Sequence, residues 1–308
     1  MKKFLVLLAT GLMVMGSALT ASADDYYEFS TFSGTGYEYD IACHGNTIYY
    51  GSGTSIYSID VSVADLTKKD EPKLLSGGTT SNPNYQIRTF SNPKHITLGS
   101  VVNSGSVGEM YVDDSYIYRT YQTQVKKFNK NTGAYVSTVV TGGGDASYAN
   151  YLSYGNGKWW SGNGRSVYSS TGGEWSYEFT WANMAGSHGD GMEFVNGFVF
   201  VSDMTSNHIA QWGYGDNPDT TAVESGWTEW NRFDYTEIGG SNKALEGMGF
   251  GALGHFWAGN GSTLYELGGG KIQGIIEDNN PVPEPATMFL FGLGLLGIAC
   301  VNRKKTIR

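Results

Sequence analysis

Cysteine is almost absent. Cys43 and Cys300 are the only two in 308 residues, and Cys300 falls in the last apolar run. The body of the chain therefore holds one thiol and no internal disulfide, which excludes a disulfide-braced scaffold. Cys43 sits in an expected strand and reads as a small buried hydrophobe. Proline is scarce at seven residues. Helical periodicity is missing throughout, so no packed helical layer is expected. Positive charge is also short. Before residue 286, leaving aside Lys2 and Lys3, 14 basic residues face 29 acids, a net charge near −15. That sign argues against nucleic acid and anionic lipid as partners. No Gly-x-Ser-x-Gly turn, phosphate-cradling glycine loop or Cys-x-x-Cys occurs. The histidines at 44, 95, 188, 208 and 255 lack metal-ligand spacing. His188, two residues from Asp190, reads as a turn residue.

What is abundant is glycine, at 44, and tyrosine plus tryptophan, at 21 and 8. Glycine for turns and aromatics for strands is the composition of an all-β protein. Long, predominantly apolar runs without charge occur only at the two ends. Met1 to Ala23 carries Lys2 and Lys3, an apolar core from Phe4 to about Met15, and Ala21-Ser22-Ala23 ahead of Asp24. This is the layout of a secretory signal peptide cut between Ala23 and Asp24. At the other end, Pro283-Glu284-Pro285 precedes an apolar run from Met288 to Val301 and then Arg303-Lys304-Lys305. As a helix the run would reach about 21 Å, short of a hydrocarbon core of about 30 Å. It reads as a marginal transmembrane helix or a transient anchor. The basic cluster puts the extreme C-terminus in the cytoplasm and the rest of the chain outside the inner membrane.

Those three tail features, in that order and at that end, resemble the PEP-CTERM sorting signal of Gram-negative bacteria. Pro283, Glu284 and Pro285 match its motif, and Arg303, Lys304 and Lys305 its basic stop. The resemblance covers about 28 residues. It implies recognition by an exosortase, a membrane transpeptidase-like enzyme, with cleavage near the motif. It also implies export to the cell surface or matrix, in association with extracellular polysaccharide. The expected organisation is a signal peptide over 1–23, one domain over 24–280 and a sorting tail over 281–308.

The central domain repeats. Copies begin at Ile41, Met110, Leu152, Met192 and Met248. Each opens with a short apolar strand and turns, in two copies through Asn156-Gly157 and Asn196-Gly197, which suit a type I′ hairpin. An aromatic strand follows, then a third strand 14 to 16 residues after the first. Fourth strands are expected around Thr97, Val139, Phe179 and Tyr235. Four-stranded repeats of this length predict a β-propeller. The copy starts lie 69, 42, 40 and 56 residues apart. The first gap reads as one blade plus an insertion around Asp65 to Asn92, giving five blades, or six if the insertion hides a degenerate copy. An open β-sandwich is the rival. The strand Tyr26-Tyr-Glu-Phe29 has no blade of its own and is expected to close the ring by completing the last one.

An acid or amide stands at or before each first strand: Asp40, Glu109, Asn150, Asp190 and Glu246. Converging on one axis, these oxygens would suit a hard cation such as Ca²⁺, although their register differs by one residue between copies. The alternative is solvated groups at strand starts. Asp190-Gly-Met and Glu246-Gly-Met faintly resemble the metal loops of gluconolactonase-type propellers. That likeness implies Glu246, Asn150 and Asp190 as ligands and Asp190 as a candidate general base. Asp216-Asn-Pro-Asp219 reads as a turn. Trp159, Trp160, Trp175, Trp181, Trp227 and Trp230 are expected to pack between blades rather than stack on sugars. The reading is an exported surface or matrix propeller that binds a partner such as extracellular polysaccharide, with no catalytic residue assigned. The alternative is a divalent-metal hydrolase or lactonase.

Overall fold

The structure is a computed structural model. It describes residues 26–63, 69–70, 73–75, 85–86, 88–99, 109–181, 189–203, 208–217, 223, 225–234 and 245–269. The expected signal peptide, the sorting tail, the expected transmembrane helix and His188 lie outside the described residues.

Strand β1 (Tyr26–Ser33) is followed by β2 (Asp40–His44), β3 (Thr47–Ser52) and β4 (Ser55–Val63). Short strands β5 (Lys69–Asp70), β6 (Lys73–Leu75), β7 (Tyr85–Gln86), β8 (Arg88–Phe90) and β9 (Lys94–Thr97) come next. Then come β10 (Met110–Val112), β11 (Tyr116–Tyr121), β12 (Gln124–Asn129) and β13 (Tyr135–Val140). They are succeeded by β14 (Tyr151–Gly155), β15 (Lys158–Asn163), β16 (Ser166–Ser170) and β17 (Ser176–Thr180). The last two groups are β18 (Gly191–Val195), β19 (Phe198–Asp203), β20 (His208–Tyr214) and β21 (Trp227–Asp234), then β22 (Gly247–Phe250), β23 (Phe256–Gly259) and β24 (Thr263–Gly269).

Hydrogen bonding sorts these into five antiparallel blades and a separate two-stranded pair of β5 and β7. Blade 1 is β2-β3-β4, with β9 and β8 both paired to β4. Blades 2, 3 and 4 are β10 to β13, β14 to β17 and β18 to β21, each in sequence order. Blade 5 is β22-β23-β24, completed by β1 from the far end of the chain. The first and third strands of each copy and the closing role of Tyr26–Phe29 are as expected from the repeat. The outer strand of blade 4 ends at Asp234, just short of Tyr235, around which the sequence centred it. The insertion after β4 contributes twice: β8 lengthens blade 1, and β6 pairs with the outer side of β1.

The blades pack face to face through side chains that alternate along each strand. Trp181 stands beside Trp160, Phe179, Met192 and Trp212 between blades 3 and 4. Trp159 and Trp175 pack with Tyr118 and Leu152 between blades 2 and 3. Trp159, Trp160, Trp175 and Trp181 are buried, and Trp227 and Trp230 are half-buried. The outer hairpin of one blade leans onto its predecessor. Trp175 Nε1 donates to Thr123 O at 2.6 Å, and Gly133 approaches Thr97 so closely that a Cβ there would lie 2.0 Å from its carbonyl oxygen. Gly133 also has φ 68°, a second reason for glycine at that turn. Cys43 is half-buried, and burial pushes its thiol far above the usual range.

Candidate functional site: the propeller axis

The innermost strands β2, β10, β14, β18 and β22 are edge strands. One rank of their N–H and C=O groups points at the axis with no neighbouring strand to satisfy it. The end where these strands begin is here called the upper end. The backbone register resolves the five residues expected there into two layers. Asn150, Asp190 and Glu246 donate their N–H groups to Gly162, Ser202 and Gly259 respectively. One residue deeper, Asp40 pairs with Gly51 at the level where Tyr151, Gly191 and Gly247 pair with Gly162, Ser202 and Gly259. Glu109 sits at this deeper level, its carbonyl facing the Thr120 N–H. Three of the candidates thus lie at the mouth and two within the axis. Among the described residues, no three His, Cys, Asp or Glu side chains form a group that could hold a metal ion.

The two deeper residues are engaged by the protein itself. Asp40 is buried and forms an ion pair with Arg119 of blade 2, whose Nη1 also donates to Gly53 O at 2.5 Å. Glu109 is 1% exposed. Its Oε2 accepts the N–H of Met192 at 3.0 Å and of Leu152 at 3.4 Å, and its Oε1 accepts the N–H of Met248 at 3.1 Å. One carboxyl from blade 2 therefore meets the inner strands of blades 3, 4 and 5. Burial pushes this carboxyl well above its ordinary range, the Met192 and Met248 N–H groups pull it down, and the charges of Asp40 and Glu193 raise it.

The sequence reading missed Glu193, which repeats the device further down. Its Oε2 accepts Ser153 Oγ at 2.8 Å and its Oε1 accepts the Phe250 N–H at 3.2 Å. Ser153 Oγ in turn accepts the Phe194 N–H at 2.9 Å. Burial lifts the Glu193 carboxyl to about 8 against the pull of those donors. Arg119 was missed as well. Both had a signal: each is the one charged residue of its strand, and its counterparts in other copies are uncharged. The axis is thus filled by side chains that tie blade 1 to blade 2, blade 2 to blades 3, 4 and 5, and blade 4 to blades 3 and 5.

A second buried cluster joins the insertion to the closing strand. Glu266 of β24 is fully buried and receives Arg88 Nε and Nη2 at 3.1 and 2.9 Å and Ser30 Oγ of β1 at 2.5 Å. His255 Nδ1 lies 2.7 Å from its Oε1, and Phe29 stacks on the imidazole at 4.3 Å. Burial opposes the charge on Glu266, but the His255 and Arg88 hydrogen bonds outweigh it and hold the carboxyl at about 2.

Residues 281–304 match the PEP-CTERM protein-sorting motif. The chain carries a PEP-CTERM sorting signal. It is therefore an exported protein of the cell envelope that an exosortase sorts. No curated protein matches the sequence. Among solved structures, a glutaminyl cyclase of Myxococcus xanthus is 12% identical with a TM-score of 0.46, covering 79% of this chain and 95% of its own. A streptogramin B lyase is 14% identical with a TM-score of 0.40, covering 80% and 99%. The WD40 β-propeller domain of Doa1 is 9% identical with a TM-score of 0.38, covering 80% and 97%.

Proposed function

We propose that this PEP-CTERM protein is a binding propeller displayed at the cell surface. The apolar run after the motif holds it in the inner membrane until the tail is processed, and its upper face takes extracellular polysaccharide. The observation that carries this reading is the self-filled axis. With Glu109 and Glu193 engaged by backbone and serine donors, the carboxyl groups of the axis are already occupied by the protein itself, which favours binding at the surface. The connections entering the inner strands all arrive at the upper end, and long connections are where binding residues gather. Tyr37 and Tyr148, in two of these connections, are each 41% exposed. An exposed ring offers an apolar face to a sugar and a hydroxyl to its oxygens. Calorimetry with the polysaccharide of the source cells tests this. Saturable binding that weakens about fivefold in Tyr37→Ala or Tyr148→Ala is expected, taking stacking as about 1 kcal/mol per ring. Unchanged affinity in both variants contradicts it.

The shared layer of Asn150, Asp190 and Glu246 favours one further reading, a Ca²⁺ ion at the mouth. A cation that binds only the folded state raises stability by RT ln(1 + [L]/Kd), about 2.7 kcal/mol at a hundredfold excess. Melting with Ca²⁺ and with EDTA tests it. A shift of several degrees that Asp190→Asn/Glu246→Gln abolishes supports the ion and makes a lactonase screen worthwhile, and no shift removes it.

A further inference from the structure

We infer that the N–H groups of Leu152, Met192 and Met248 form a carboxyl-binding site on the propeller axis, that its resident ligand is the chain's own Glu109 side chain, and that it takes a small free carboxylate or its acid once that side chain is removed. The inference is independent of what the upper face binds.

The three donors come from three different blades and converge on the two oxygens of one group at 3.0 to 3.4 Å. A carboxylate is an acceptor only, with about four lone-pair positions, so its geometry suits several converging N–H donors. Each of these N–H groups lies on the free edge of its sheet. Without the carboxylate each would be buried and unpaired, a costly state for a main-chain donor. One more donor stands close by. Ser202 Oγ is buried without a hydrogen-bond partner. A Cβ added to Gly191 would lie 2.7 Å from this oxygen and 2.8 Å from the Met248 nitrogen. The spare hydroxyl and the cradle N–H therefore flank one point beside the axis. Glycine at 191 lets the two strands approach this closely. The ligand class follows from the donors: a planar carboxyl-type acceptor no larger than formate or acetate, bound by three main-chain N–H groups.

The test is chemical rescue in the full chain, purified in detergent. Glu109→Ala is expected to melt several degrees below the natural protein. Formate at about 100-fold over its dissociation constant is expected to restore at least half of that loss. Neither chloride nor methylammonium should do so, and formate should leave the natural protein unshifted. Glu109→Gln keeps a carbonyl acceptor in place and is expected not to respond to formate. If Glu109→Ala does not fold, refolding yields with formate and with chloride are compared, and recovery with formate alone supports the site. Formate shifts that are equal in the natural protein and the alanine variant, or absent from both melting and refolding, overturn the inference. So does a glutamine variant that responds as strongly as the alanine one.

Discussion

Glu193 shows how one side chain can set the pH response of the molecule. Its carboxyl titrates near 8 when folded, against about 4.5 when unfolded, because burial disfavours the charge. Between those values the unfolded state binds fewer protons than the folded one. Stability therefore falls as pH rises from about 4.5 to about 8, by at most about 1.4 kcal/mol per unit. Glu193→Gln keeps an acceptor for the Phe250 N–H and removes the titration. Its denaturant midpoint is expected to decline less between pH 5 and pH 8 than that of the natural protein. Parallel curves would show that Glu193 is ionised throughout. Asp40 and Arg119 behave differently, since each compensates a buried charge on the other. Removing one leaves the buried charge of the other with less compensation, and Arg119→Ala is expected to cost about 3–5 kcal/mol in a chemical-denaturation measurement.

At the scale of elements, ring closure depends on contacts between the ends of the chain. Strand β1 pairs with β24 in a register that sets Tyr26 opposite Gly269 and Ser33 opposite Thr263. The Glu266 cluster fastens that joint from both sides, through Ser30 of β1 and Arg88 of β8. Arg88→Ala leaves the fully buried Glu266 with less compensation and is expected to destabilise by about 3 kcal/mol or more. Urea unfolding reads this directly, and a loss under 1 kcal/mol would mean the cluster is dispensable. The natural clasp should also weaken in acid. Its contribution is present above the unfolded carboxyl value near 4.5 and fades as pH falls towards 2. Much of this level was legible beforehand. The near-constant offset from first to third strand located every blade, because a four-stranded meander of fixed strand length repeats its spacing. The unpaired strand at Tyr26 announced the closure. The partners of Glu109, Glu193 and Glu266 were not legible. Apart from His255, 11 residues before Glu266, they lie 40 to 236 residues away in sequence, and a glutamate in an alternating strand reads as solvent-facing until the neighbouring blades are in place. The one-residue difference in register between copies was visible, but only the pairing turned it into two layers.

For the whole molecule, both ends of the propeller leave blade 5 at one place, since Tyr26 and Gly269 are paired. The sorting signal begins 12 residues after Gly269, at residue 281. The expected signal-peptide cut after Ala23 lies just before Tyr26. The described residues of the propeller thus begin and end at a single corner of the domain. The acidic character of the body fits display in an aqueous exterior rather than adhesion to an anionic surface. Among the described residues no helix is long and apolar enough to cross a membrane. The run from Met288 to Val301, proposed above as the anchor, lies outside those residues.

The intact mass of the protein recovered from outside the inner membrane tests this account most directly, measured for the natural chain and for a variant with Pro283, Glu284 and Pro285 replaced by alanine. The account predicts a natural product that begins at Asp24 and lacks the apolar run and Arg303-Lys304-Lys305. The variant is expected to be exported with the tail still attached and to fractionate with the membrane. Identical masses for the two proteins would contradict sorting through this motif.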